Sequence, residues 1–223
     1  MRLYNLFLIF SIILYSNLYA TDSNQTPIQN KGVKSVEKFL ESKQIDMKNE
    51  NMPTITVLSG GVGEERDVSL STGRAISVAL RDRFPISLVD LGQTVLPPDL
   101  DGSDTIVFPS IHGTFGEDGT LQGLLDERGV EYAGSDATSS KLCMDKHRAK
   151  NRVWEAGVRV APGRFFRKPD EVSANELVAN HGPDLVVKPT DQGSSVELSI
   201  VRGEEELAAL PTMYVDGVHH GNE

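Results

Sequence analysis

Three stretches of this sequence bring glycine, charge and small hydroxyl groups together in ways that can hold a ligand. The first, Ser59-Gly60-Gly61-Val62-Gly63-Glu64-Glu65-Arg66, follows an apolar run and precedes a helical one. A glycine-rich turn there lets backbone N–H groups approach a ligand and aims a helix N-terminus at negative charge. It departs from the dinucleotide fingerprint because Arg66 stands at the third glycine, and no Walker lysine follows. Taken alone, a tight structural turn accounts for it equally well. The second, Ile111-His112-Gly113-Thr114-Phe115-Gly116-Glu117-Asp118-Gly119-Thr120, also leaves a strand-like run and enters a helical one. Such a position at a strand's carboxyl end is where open α/β sheets bind ligands. A lone histidine is also a common structural hydrogen-bonder, and Asp118 or Thr120 can serve merely as a helix cap. The third, Val186-Val187-Lys188-Pro189, sets a lysine beside the loop Asp191-Gln192-Gly193-Ser194-Ser195. A point charge next to small donors suits phosphate, with a solvated strand-end lysine as the plain alternative. Lys146, within Met144-Asp145-Lys146-His147-Arg148, is a weaker candidate, since charge runs on helices usually face solvent.

The elements that must position these residues alternate between strand and helix from Met52 onward. Thr54–Ser59, Ile86–Asp90 and Thr105–Phe108 read as strands, Val68–Leu80 as a helix, and Leu121–Arg128 as a helix stopped by Gly129. Within Val68–Leu80 the apolar set Val68, Leu70, Ala75, Ile76, Val78, Ala79 and Leu80 falls broadly at helical spacing. A second region opens near Ser139, with a helix over Asp145–Glu155, a strand beginning at Phe165-Phe166 and a helix over Pro169–Asn180. It continues through strands Asp184–Lys188 and Val196–Val201 to a short helix from Gly203. From Val215 to Glu223 the pattern shows neither periodicity nor a cap. The alternation implies a mostly parallel sheet with helices on its faces.

A net charge of -10 argues against a nucleic-acid partner, which would meet a basic face. Cys143, the one cysteine, excludes an intrachain disulfide and a multi-cysteine zinc site; its apolar surroundings predict a buried small hydrophobe. Residues 1–20 have the form of a secretory signal: basic Arg2, an apolar run from Leu6 to Leu14, and Ala20 at a cleavable position. Residues 21–51 read as a polar linker with one short helix near Val33–Glu41. Either the protein is exported, or Met52 is the start and the preceding residues are an upstream extension.

Taken in order, GGVGEERDVSLSTG, IHGTFGEDGTLQGLL, YAGSDATSSKLCMDK and VVKPTDQGSSV resemble D-alanine–D-alanine ligase, a member of the ATP-grasp superfamily. The resemblance runs from about Met52 to Val201. It implies an α/β fold in which a mostly parallel N-terminal substrate-binding domain of pre-ATP-grasp type (residues 52–138) precedes the beginning of an incomplete ATP-grasp domain (residues 139–223). It implies ATP-dependent ligation of two D-alanines for a peptidoglycan precursor: ATP phosphorylates one carboxylate, and the second amine displaces phosphate. Relatives that accept D-lactate share much of this half.

By that resemblance Glu65 holds the ammonium of the first D-alanine and connects to Ser194, and His112 stands beside the reacting carboxyl group. Lys146 and Lys188 contact ATP phosphates, Gly193 and Ser195 help close the site, and Gly60 and Gly61 shape the substrate pocket. The family also uses Mg2+, whose ligands lie in a later half that this sequence does not show, and its relatives suggest a homodimer. The expectation is that this chain alone does not turn over. A non-catalytic remnant and an exported small-molecule binding module are the other readings. Glu197 stands where the family usually has glycine. Chemistry that consumes ATP favours the cytoplasm, and with it Met52 as the start.

Overall fold

The computed structural model describes residues 52–166, 172–193, 197–210 and 218–220, the last three through their backbone. The chain divides into two compact units that part after Ser140.

The first unit is built on a four-stranded parallel sheet in the order β2-β1-β3-β4, with β1 Thr54–Gly60, β2 Ile86–Leu91, β3 Thr105–Pro109 and β4 Glu131–Tyr132. Alternation along the strands separates two cores. Ile55, Val57 and Ile106 point to one face, where Leu80 and Phe84 meet them, and Leu58 and Val107 point to the other, against Leu121 and Leu125. Leu80 belongs to helix α1 (Arg66–Leu80), and Leu121 and Leu125 belong to α2 (Thr120–Glu127). Since β2 and β3 flank β1 on opposite sides, the chain reverses its winding between β1 and β3. The crevice outside the carboxyl ends of those two strands is the place where open α/β sheets take ligands.

No helix joins β2 to β3. The loop across residues 92–104 instead buries Leu96 and Leu100. Its carbonyls are met by Arg128, whose Nη2 donates to Leu96 O at 3.3 Å and Nη1 to Pro97 O at 2.5 Å. A buried loop needs such partners for its backbone.

The buried face of α1 is only partly apolar. Val68 and Val78 are half-exposed, whereas the buried residues are Ser69, Thr72, Gly73 and Leu80. The reason is close approach: a Cβ on Gly73 would lie 2.6 Å from Ser59 Cβ, so α1 presses on β1 where both chains are small.

The second unit carries an antiparallel sheet in the order β5-β8-β6-β7, formed by Gly163–Arg164, Val218–His220, Asp184–Val187 and Ser199–Arg202. Helices α4 (Lys146–Glu155), α5 (Ala174–His181) and α6 (Gly203–Ala208) accompany it, while α3 (Ala137–Met144) spans the division. Asp145 caps α4 by accepting from Arg148 N at 2.9 Å, and Ser173 caps α5 by accepting from Glu176 N. Phe166, Leu177, Leu185, Val187, Val201 and Leu207 form the core.

Several expectations are corrected here. The strand placed at Phe165-Phe166 lies earlier, at Gly163–Arg164; Phe166 packs into the core and Phe165 stacks on His147 with ring centroids 4.3 Å apart. The helix expected from Pro169 starts at Ala174, because Ser173 supplies the cap; residues 167–171 lie outside the described residues. The patternless end contributes β8, whose pairing runs through backbone groups and needs no side-chain periodicity. Cys143 is exposed, since α3 buries only Ser140 and turns the rest of its short surface outward. The signal-like segment, the linker and its short helix lie outside the described residues. Among those that are described, no helix is long and apolar enough to cross a membrane.

Glu197 has φ +56°, a left-handed conformation that glycine adopts without strain. A side chain there costs about 1–2 kcal/mol, partly offset by the greater freedom glycine gives the unfolded chain. Glu197→Gly is therefore expected to raise the urea midpoint, by less than about 1 kcal/mol in stability. A lowered midpoint would mean that the Glu197 side chain, not its backbone, matters at this turn.

Candidate functional site

The turn after β1 is tied to the loop after β3 through a buried chain of hydroxyl groups. Gly60 N donates to Ser69 Oγ at 2.8 Å, and Ser69 Oγ donates to Ser110 O, also at 2.8 Å. Ser110 in turn donates from both its N and its Oγ to Leu58 O, at 2.8 and 2.9 Å. Gly60 and Gly61 have φ of +90° and +94°, and a Cβ on Gly60 would fall 2.3 Å from Asp90 Oδ1. The turn is clamped from outside by Arg66, whose Nη2 meets Asp90 Oδ2 at 2.8 Å while Nη1 donates to Gly61 O and Leu91 O. In the sequence Arg66 only broke a fingerprint; in the fold it holds the glycine turn in place.

The loop after β3 is equally constrained. A Cβ on Gly116 would sit 2.2 Å from Ile111 O, so only glycine fits. Phe115 adopts φ +77° and is buried. Burying a phenyl ring yields about 1.5–3 kcal/mol, enough to outweigh roughly 1–2 kcal/mol of left-handed strain. Asp118 takes the plain role: its Oδ1 accepts from Thr120 N at 2.9 Å as α2 begins, while Gly119 is the cap residue. Burial pushes the Asp118 carboxyl up, but hydrogen bonds from Thr120, Phe115 and its own N–H outweigh it and hold the group low.

Between these loops lie Glu65 and His112. Both are half-buried. Glu65 Oε2 lies 2.7 Å from where a Cβ on Gly113 would stand, so its carboxylate rests against bare backbone beside the histidine. His112 Nδ1 is 3.4 Å from Glu117 Oε1, and Nε2 is 3.1 Å from Thr72 Oγ1. The first unit thus brings Gly60, Gly61, Glu65 and His112 together at the carboxyl ends of β1 and β3. Sequence reading passed over Ser69, Thr72, Ser110 and Glu117. The one available signal was small hydroxyl residues three apart on α1, which an apolar-period search discards.

The second unit gathers lysines. Lys146 lies in the first turn of α4, and Lys188 follows β6. Lys146 N donates to Thr190 O at 2.8 Å, and its Nζ donates to Thr190 O and to Gln192 O. Burial lowers the Lys146 ammonium below the ordinary lysine value, the nearby Lys188 lowers it further, and Asp191 and Asp145 pull the other way. Lys150, one turn along α4, is lowered by burial and by the same Lys188. Sequence reading missed Lys150. Lys146 and Lys150 thus share Lys188 as a like-charged neighbour, an arrangement that an anion would relieve. Gly193 is half-buried beside them, while Ser194 and Ser195 lie outside the described residues. Among the described residues no three His, Cys, Asp or Glu side chains converge where a metal ion could sit.

The Lys146 shift has a defined sign for stability. Its penalty on folding is full at pH below the depressed folded-state value and lifts as pH rises through it toward the ordinary lysine value. Near neutral pH, removing a repelling neighbour should therefore stabilise the fold. Lys188→Met is expected to raise the thermal midpoint of the anion-free chain at pH 7, by under about 1 kcal/mol because the cluster is only partly buried. Calorimetry in a buffer without phosphate or sulfate checks it, and a lowered midpoint would count against repulsion within the cluster.

Comparison with known proteins agrees on one likeness. A family model described as D-ala D-ala ligase N-terminus matches residues 92–135. The D-alanine–D-alanine ligase of Desulforudis audaxviator is 39% identical over 168 residues, covering 75% of this chain and 54% of that protein. That of Pelobacter propionicus is 42% identical over 157 residues, covering 70% and 50%. Among solved structures, the Bacillus anthracis D-alanine–D-alanine ligase complexed with ATP overlays with a TM-score of 0.65 at 28% identity, over 78% of this chain and 58% of that one. The VanG D-Ala:D-Ser ligase of Enterococcus faecalis overlays at 0.64 and 26%, over 77% and 63%. The chain spans about half the length of the curated relatives it matches.

Proposed function

We propose, for a chain that belongs to the D-alanine–D-alanine ligase family in its N-terminal part, that its two units hold the first D-alanine and the ATP phosphates of a cytoplasmic ligation reaction. The observation that carries this is the Glu65 carboxylate lying against the bare backbone of Gly113, next to His112. A carboxylate so placed can pair with a substrate ammonium.

The reaction needs the substrate carboxylate turned into an electrophile. Transfer of the ATP γ-phosphoryl group to one carboxylate oxygen gives an acyl phosphate, from which attack by a second amine expels phosphate. Such transfer depends on positioning and on positive charge facing the phosphoryl oxygens. Lys146 and Lys188 supply that charge in the second unit, with Lys150 adjoining. Among the described residues no three acidic, His or Cys side chains converge, and the cationic contribution proposed for this chain is that of its lysines. Ligases whose names differ in the second amino acid, D-alanine or D-serine, both overlay on this part of the chain. That supports assigning it the first substrate and leaves the choice of the second to residues elsewhere.

Titration calorimetry of the 223-residue chain tests both halves. D-Alanine is expected to bind more tightly than L-alanine, and Glu65→Gln to weaken it by about tenfold or more, the effect of losing one charge-assisted hydrogen bond. Lys146→Met together with Lys188→Met should weaken ATP by a similar factor without altering D-alanine binding. Equal affinity for the two alanine enantiomers, unchanged by Glu65→Gln, would sink the assignment.

A further inference from the structure

The two contacts on His112 differ in kind. Glu117 offers Nδ1 an acceptor and nothing else, since a carboxylate oxygen only accepts. Thr72 offers Nε2 a hydroxyl, which can donate or accept. In the neutral ring one nitrogen carries a proton and the other a lone pair. With the proton on Nε2, the Nδ1 lone pair would face the Glu117 carboxylate, negative against negative. With the proton on Nδ1, that nitrogen donates to Glu117 and the Nε2 lone pair accepts from Thr72 Oγ1. We propose that Thr72 is a positioning residue: with Glu117 it locks His112 as the Nδ1–H tautomer and occupies Nε2, so the imidazole is held as an oriented wall of the site and not as a free base.

Packing supports this role for Thr72. Its residue is 3% exposed, on the face of α1 that Gly73 presses against β1, so the hydroxyl sits in a fixed place with little access to water. A buried helical threonine must direct its hydrogen to some acceptor; the competing one is the carbonyl four residues earlier in its own helix. Nε2 at 3.1 Å is a good acceptor of known position. The consequence for chemistry rests on the ligase reading. A second amine that attacks an acyl phosphate must shed a proton, and an Nε2 already accepting from Thr72 is not available to take it. The tautomer itself stands independently of that reading, because it is a property of the free chain.

Long-range proton–nitrogen correlation spectra of the histidine-labelled 223-residue chain at alkaline pH, where imidazoles are neutral, read the tautomer directly. His112→Asn assigns the signals by their loss. The wild type is expected to show a protonated Nδ1 and a hydrogen-bonded, unprotonated Nε2. Thr72→Val should shift Nε2 further downfield, to the position of a free acceptor, and Thr72→Ser should restore it. Glu117→Gln should admit the other tautomer as a mixture. A protonated Nε2 in the wild type overturns the proposal. So does an Nε2 resonance unmoved by Thr72→Val in a protein whose amide spectrum is otherwise native, the outcome expected if the hydroxyl turns back to its own helix. Should Thr72→Val fail to fold, Thr72→Ala is read in the same way, and an unmoved Nε2 resonance there is equally fatal. Adding D-alanine to the same samples reports separately on the ligand assignment.

Discussion

The hydroxyl group of Ser69 is the point from which the first unit's ligand-facing loops hang. It is fully buried, it accepts from the N–H of Gly60 and it donates to the carbonyl of Ser110. Those two backbone groups belong to different loops, each leaving the carboxyl end of a different strand. An apolar side chain in its place would leave both wanting, at about 1–3 kcal/mol each for an unsatisfied buried group. This is why α1 turns hydroxyls and a glycine to the sheet near its start and makes its apolar core contacts further along, through Ile76 and Leu80. The same close approach brings Thr72 within reach of His112. Loop position, helix sequence and histidine orientation thus share one cause.

Much of the first unit was legible because it obeys simple periods. β1 alternates Ile55, Val57 against Leu58, and Gly129 stops α2 with a positive φ of 66°. The site was harder to read, and for a physical reason. Residues such as Ser69 and Ser110 matter through which backbone atoms they meet across 41 positions of sequence, and no local pattern encodes that. Glu65 received its role only through resemblance to a family; the residues alone offered His112 as part of a ligand loop, with a structural hydrogen-bonder as the plain alternative. In the second unit the helix starts follow from cap chemistry at Asp145 and Ser173, whereas the sequence reading placed the second start at Pro169.

The lysines of the second unit illustrate how a site can oppose folding. Lys146 and Lys150 are pushed toward neutrality by burial and by a shared like-charged neighbour. Nothing in the core of Leu177, Leu185 and Val201 requires them there. Both ammonium groups hold backbone carbonyls, Lys146 those of Thr190 and Gln192 and Lys150 that of Ala161, and the anion of the proposed function would reverse the sign of the repulsion.

The place of β8 bears on how the second sheet is made. Residues 218–220 lie between β5 and β6, so β5 reaches the sheet only through a strand that follows it by more than 50 positions. The β6–β7 pair closes over a short interval and can form early. Joining β5 demands a long loop closure, whose entropy must be spent before any ladder bond is gained. Among the described strands Gly163–Arg164 pairs with Val218–His220 alone, so its place in this sheet is conditional on a segment far along the chain.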